Sequence, residues 1–310
     1  MPTNALVLHY LQDLGNAFPT QMCQDADKKV KGSEIAQLLS LNVPRNRNLR
    51  QPLITAALQN NFSGMCSNFI QQGRFSAIIQ LFLKSYAYEK SQRALQAVTA
   101  AEAASTKLLE IFSSQDSNTV WLLPIVDQVM GRYRLAASAA DDQLIAQGKP
   151  VAHLSKVYQD FMPYFQTMQH DRREISQSKK MGCLFVIVHG LKICFKINQF
   201  RLCDALLRSQ ILKSNLERFP KAQTTAFYFY RGRLTLINNK DYKAAEADLA
   251  MAFRQCPDEA FHNKRRILQF LIPLRLRNNV VCIYIYIYIY MYVCNYAKNV
   301  YVLYTYSVCM

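Results

Sequence analysis

Nine basic side chains carry the chemistry this sequence offers most clearly: Lys179, Lys180, Lys192, Lys196, Arg231, Arg233, Lys264, Arg265 and Arg266. That chemistry is phosphate binding. Lysine brings a compact point charge and arginine a planar fork that grips phosphate oxygens two at a time. All nine lie within a dense basic stretch from Ser178 to Pro273. Lys192 and Lys196 are four residues apart, so a helix puts them on one face. Tyr228 and Arg231, three apart, can share a face in the same way. The interleaved aromatics from Phe227 to Tyr230 suit base stacking, although such spacing more often marks a core. The competing reading of the nine cations is that most of them are ordinary solvated helix faces.

Catalytic and metal chemistry have far less to stand on. There is no phosphate-cradling glycine loop, no HExxH and no GxSxG. The five histidines, His9, His153, His170, His189 and His262, form no ligand pattern. His189 sits beside an apolar stripe and reads as a packed core residue rather than a ligand. His170 and Asp171 are adjacent, and adjacent residues on a helix point apart. Asp141 and Asp142 read as a solvated face or as part of a packing pattern. The nine cysteines include no CxxC pair and no Cys/His spacing suited to zinc. Buried free thiols in a reducing compartment are therefore expected, with no metal, no cofactor and no enzymatic activity.

The elements that must position the cations are helical. At 310 residues and 51% hydrophobic composition, the chain has enough apolar mass for a real core. A net charge of +16 favours an anionic partner, RNA or DNA among them. The periodicity predicts helices over Ala5–Ala17, Ser33–Leu41, Pro52 to about Phe112 with breaks near Asn60–Gly64 and Gly73, Val120–Gln147 as one long helix or a broken pair, and His153–Gln169 with Pro163 inside. Gln21–Gly32 is polar and reads as a loop. No stretch before residue 280 alternates with a period of two, so no large sheet is expected there. The apolar run Cys183–Leu191 is far shorter than the ~20 residues a membrane span needs, and the N-terminus reads as a mature helix.

The clearest unit is a hairpin. Thr225–Ile237 and Tyr242–Gln255 are joined by a short turn, and Pro257 follows. Tyr242, Ala245, Leu249, Ala252 and Pro257 have tetratricopeptide-like spacing, in which small alanines let two helices approach closely. The expected fold class is all-α, a stack of helical hairpins. The expected organisation is an N-terminal helical region over 1–112, a helical repeat region over 113–277 and a separate tail over 278–310.

The same residues carry a family resemblance. Ser178-Lys179-Lys180, Gly182, Leu184-Phe185, Leu191-Lys192-Ile193, Phe195-Lys196-Ile197-Asn198, Leu202-Cys203, Tyr228, Tyr230, Gly232-Arg233 and Ala245-Glu246 fit its pattern. So do Ala252-Phe253, Cys256, Asn263-Lys264-Arg265, Ile267-Leu268, Leu271 and Pro273, with Ala140-Asp141, Gln143-Leu144 and Gly148-Lys149 upstream. This pattern resembles the PCI-domain mRNA-export subunits, also called signalosome subunit-twelve-like proteins, and is specific from about Val129 to Pro273. The resemblance implies a PCI-type helical stack capped by a winged helix, and a scaffold rather than an enzyme. It further implies a nuclear, pore-associated complex with a large export scaffold protein and a small acidic protein, whose joined basic surface meets nucleic acid, while a cytoplasmic pool stays open. A signalosome- or proteasome-lid-like subunit without a nucleic-acid role is the alternative.

After Asn279 the sequence departs from that pattern. Ile283–Tyr292 reads IYIYIYIYMY, which an in-frame TA dinucleotide repeat would encode. The stretch is read as translated intron in place of the winged helix, which makes a defective truncated isoform a further reading.

Overall fold

In the computed structural model, the described residues are 3–18, 25–41, 48–70, 73–113, 119–213, 216–238 and 241–278. Among them there are thirteen α-helices and no strand. The chain is an all-α protein. It divides into two compact units between Ser214 and Asn215.

The first unit contains α1 (Thr3–Ala17), α2 (Asp25–Leu39), α3 (Arg50–Ala57), α4 (Phe62–Phe69), α5 (Gly73–Lys90), α6 (Ala94–Ser113), α7 (Leu123–Ala146), α8 (His153–Gln169), α9 (Cys183–Ile197) and α10 (Arg201–Leu207). Consecutive helices pack on each other, from the α5–α6 hairpin through α6–α7 and α7–α8 to α8–α9. The most apolar helix is innermost. Every residue from Cys183 to Leu191 is buried, so α9 has no solvent face along its first half. Helices apolar all round belong at the centre of a stack.

Three local devices set the packing. Asp141, near the end of α7, is buried and accepts from the backbone N–H groups of His153 and Leu154 at 3.2 and 3.0 Å. It thereby caps α8 from the preceding helix, satisfying donors that the first turn leaves orphaned. Gly148 takes φ +67° just past α7, the left-handed conformation that ends helices. Tyr164 donates to the Ser105 carbonyl at 2.6 Å, fixing α8 against α6.

The second unit contains α11 (Lys221–Asn238), α12 (Tyr242–Gln255) and α13 (Phe261–Arg277). Thr224 bonds Gln255, and Arg231 pairs with Asp248 nearer the turn, so α11 and α12 run in opposite directions. Gly232 makes the close approach: a Cβ there would stand 3.0 Å from Leu249 and 3.2 Å from the Ala245 carbonyl. Ala245, Leu249 and Ala252 are buried with Ile267, Leu271 and Leu274 of α13. The tetratricopeptide-like spacing read in the sequence is therefore the packed side of α12.

Two expectations change. Residues 25–32, expected as loop, belong to α2. Gly32 lies against the Trp121 backbone, and Ile35, Ala36 and Leu39 are buried, so tertiary packing overrides a weakly helical polar sequence. The helix expected to run on to Phe112 is interrupted at Ser91–Arg93, where Gln92 adopts φ +61°. Residue 113 falls between α6 and α7, which pack together, and the compact units part between Ser214 and Asn215. The expectations for residues 279–310 lie outside the described residues.

Candidate nucleic-acid interface

The structure sorts the nine cations by what already holds their charge. Lys179 is inside: its ammonium donates to the Phe112 carbonyl at 2.6 Å and lies 4.8 Å from the Phe112 ring centre. Burial lowers its pKa, and Asp171 opposes that. The short connection before α9 is tied to the same place, because Asp171 accepts from the Lys179 backbone N–H at 2.8 Å and from Arg173. This holds the Asp171 carboxyl well below the usual carboxylate range, with the Arg173 side chain the largest cause.

Lys196, Arg231 and Lys264 each face a carboxylate. Lys196 pairs with Asp142 at 2.8 Å, and Lys264 pairs with Asp258. The Arg231 guanidinium is gripped by Asp248 and lies over Phe227 and Tyr228 at 5.0 and 5.1 Å. That pairing raises the Arg231 pKa, burial opposing it. Tyr228 and Arg231 do share a face, but the arginine there closes the α11–α12 seam.

Lys180, Lys192, Arg265 and Arg266 carry no ion pair to another of the described residues. Lys192, on α9, is half-buried, and burial together with the nearby Arg134 brings its pKa down to about 8. Arg134 on α7 donates through Nε to His189 Nδ1 at 3.2 Å, while His189 Nε2 bonds Asp127 at 2.9 Å. His189 is thus a packed core residue, as its sequence setting suggests, with a carboxylate on one ring nitrogen and a guanidinium on the other.

In the second unit the basic side chains gather along α11 and α13. Neither helix contains a single acidic residue, and α13 alone holds five basic ones. The two acidic residues of α12 turn inward, Asp248 to Arg231 and Glu246 to Arg275 at 3.3 Å and Asn278 at 2.7 Å, while Glu217, Asp241, Asp258 and Glu259 are exposed outside the three helices. Arg233 packs against Phe270 of α13 at 4.6 Å and Phe229 at 5.4 Å. Burial lowers its pKa, and the neighbouring Arg266 cation pushes the same way while Tyr230 opposes. Arg266 is exposed, four residues before Phe270, so it stands on the side of α13 that Arg233 approaches. The structure therefore brings Arg233 and Arg266 together, with Arg265 beside them, holds Lys179 and Arg231 in buried or part-buried contacts, and pairs Lys196 and Lys264 with exposed carboxylates. Lys180, Lys192 and Arg134 belong to the first unit.

Sequence reasoning missed Arg134, Phe261, His262 and Gln269. The last three are exposed on α13, Phe261 at 77%. The absence of any acid along α13 was the available signal.

No family model matches the chain. PCI domain-containing protein 2 of Xenopus laevis is 28% identical over 278 residues, 83% of this chain and 63% of the relative. PCI domain-containing protein 2 of Danio rerio is 36% identical over 160 residues, 50% of this chain and 40% of the relative. Protein CSN12 homolog of Gibberella zeae is 35% identical over 118 residues, 36% of this chain and 26% of the relative. The chain is similar to PCI-domain proteins along most of its length. The chain spans less than two thirds of the length of each of these relatives. Among its described residues no group of His, Cys, Asp or Glu is arranged to hold a metal ion, and no helix is long and apolar enough to cross a membrane. The buried thiols Cys66, Cys183, Cys194, Cys203 and Cys256 are free.

Proposed function

We propose that this chain is a PCI-domain protein and a non-catalytic scaffold subunit that offers helical surfaces to partner proteins and basic side chains to nucleic acid. The observation that carries the nucleic-acid part is the acid-free α13, with Arg266 exposed and Arg233 beside it. Its setting is a nuclear mRNA-export assembly, at the pore, with a large export scaffold protein and a small acidic protein as partners. That setting is what the sequence resemblance implies, and the net charge of +16 suits it.

Phosphate contact predicts affinity that falls steeply with salt, because each neutralised phosphate releases counterions. Fluorescence anisotropy of the full chain with labelled RNA and DNA, at low and moderate salt, tests this. Affinity dropping at least tenfold between about 50 and 200 mM salt is expected. Binding absent at low salt, or indifferent to salt, overturns the nucleic-acid part. In that case the second reading stands, an assembly subunit acting through protein contacts alone, which the relatives named Protein CSN12 homolog favour.

A further inference from the structure

We propose that Cys194 of α9 and Cys203 of α10 form a redox-sensitive lock, in which hydrogen peroxide joins the two thiols as a reversible disulfide that ties α10 down on α9.

The local fold brings the two thiols together. Asn198, at φ +55°, ends α9 in the left-handed conformation, and Phe195 and Phe200 pack across the turn at 5.1 Å. The chain then runs back along α9 as α10. Gly190 marks how close the two helices come, since a Cβ there would stand 2.5 Å from Leu206 Cδ1. One helical turn closer to the connection on each helix stand Cys194 and Cys203. Both are fully buried, and their thiols hydrogen-bond to each other. Tyr158 of α8 donates to the Leu202 carbonyl at 2.9 Å and holds the start of α10 in place. The helices are thus already near enough for the sulfurs to touch, and side-chain rotation is what remains for a covalent bond.

The shared hydrogen bond makes the pair unequal. It lowers the pKa of Cys203, against burial and Asp204, and together with burial it raises that of Cys194. Cys203 is therefore the thiol that ionises and attacks, while Cys194 keeps its proton. Attack on hydrogen peroxide forms an S–O bond and breaks the O–O bond. The departing hydroxide takes up the Cys203 proton as water, leaving a sulfenic acid. The Cys194 sulfur then attacks that sulfur. The S–S bond forms, the S–O bond breaks, and hydroxide leaves with the Cys194 proton as a second water. The two thiols lose two electrons, and one peroxide becomes two waters.

Access comes from α10 itself. It has seven residues, and a helix that short is marginal in water without packing. Of its side chains only Cys203 and Leu206 are buried. Such thin anchoring puts α10 at the low end of local stability, so its opening exposes the attacking sulfur. A disulfide across the short loop 194–203 then opposes the same opening, because it restricts the open chain.

The test treats the reduced full-length protein with hydrogen peroxide under native conditions, blocks remaining thiols with N-ethylmaleimide in denaturant and digests with trypsin. Peptides 193–196 and 202–208 should appear joined, two hydrogens lighter than their sum, and dithiothreitol should release them. Hydrogen exchange along 201–207 should slow about tenfold or more in the oxidised protein and recover on reduction. Cys194→Ala leaves the attacking thiol in place. It should abolish the joined peptide and the slowing, and let Cys203 run on to sulfinic acid. Both peptides of the unaltered chain carrying N-ethylmaleimide after peroxide, or Cys203 as sulfinic acid beside a labelled Cys194, overturns the pairing. A joined peptide that leaves exchange along α10 unchanged overturns the lock.

Discussion

His189 shows how one side chain can tie this stack to pH. Its ring is buried between α7 and α9, bonded to Asp127 on one nitrogen and approached by Arg134 on the other. Burial lowers its pKa below 6.5, Asp127 opposes that, and Arg134 and Lys192 add to the lowering. A proton on Nδ1 would meet the Arg134 N–H head on, so the folded state keeps the ring neutral. The unfolded chain takes up a proton near pH 6.5, the ordinary histidine value, and the folded chain refuses it. The stability contributed by His189 is therefore complete above that pH and is lost as pH falls through it toward the lower folded value. The unfolding midpoint should drop between about pH 7 and pH 5, and His189→Gln, which removes the titration, should flatten that drop. Thermal unfolding of both proteins across this range measures it; parallel slopes would discard the assignment. Asp141 teaches a different lesson at the same scale. As half of an Asp-Asp pair it had two plain readings, solvated face or packing, and its burial at the start of α8 selects packing. No spacing rule connects Asp141 to His153, because the cap is made across a turn by a neighbouring helix.

At the scale of elements, close approach decides which helices can pair. Gly15 in α1 faces the end of α4, where a Cβ would fall 2.1 Å from the Phe69 carbonyl oxygen. Backbone cannot swing aside as a side chain can, so Gly15→Ala must push the two helices apart. A loss of about 1–3 kcal/mol is expected, read as a lower denaturant midpoint. Gly73→Ala is the internal comparison. Nothing lies within 4 Å of its Cβ position, so that variant should be neutral or stabilised by a few tenths of a kcal/mol to about 1 kcal/mol. Equal gains in the two variants would show that helix propensity, not the α1–α4 contact, governs. The same contrast explains what the sequence could reveal. The α11–α12 hairpin was legible because its contact residues repeat along one helix: Ala245, Leu249 and Ala252 are spaced for a single face, and all are buried. The first half of α2 was not legible, because what fixes it is Gly32 against the Trp121 backbone, far off in sequence. The break at Gln92 was hidden too, since a left-handed turn is usually announced by glycine or asparagine and here is not. For the candidate site, residue type marked all nine cations alike. Only the cross-helix partners, Asp248 for Arg231 and Phe270 for Arg233, separate them.

For the whole molecule the question is whether net charge or its placement attracts nucleic acid. A chain at +16 draws polyanions from a distance through its total field, whichever side chains supply it. Local contact needs cations that are not already held by carboxylates. Arg231→Ala and Arg266→Ala separate the two ideas, because each removes one positive charge and leaves the same net charge. Arg231 is bound to Asp248, which is largely buried in the α11–α12 seam. Removing it strands that carboxylate, so about 2 kcal/mol of stability should go, with little change in RNA affinity. Arg266 is exposed and holds nothing inside the fold. Its removal should leave the unfolding midpoint where it is, weaken RNA binding about three- to tenfold at low salt, and make the salt slope shallower by roughly 0.7 for a single strand. Paired measurements of unfolding midpoint and RNA affinity on the two variants decide. Equal losses of affinity would mean that the total field does the attracting and that the acid-free helix has no special part. A split, stability lost in one variant and affinity in the other, ties the positive charge that matters to the outer face of α13.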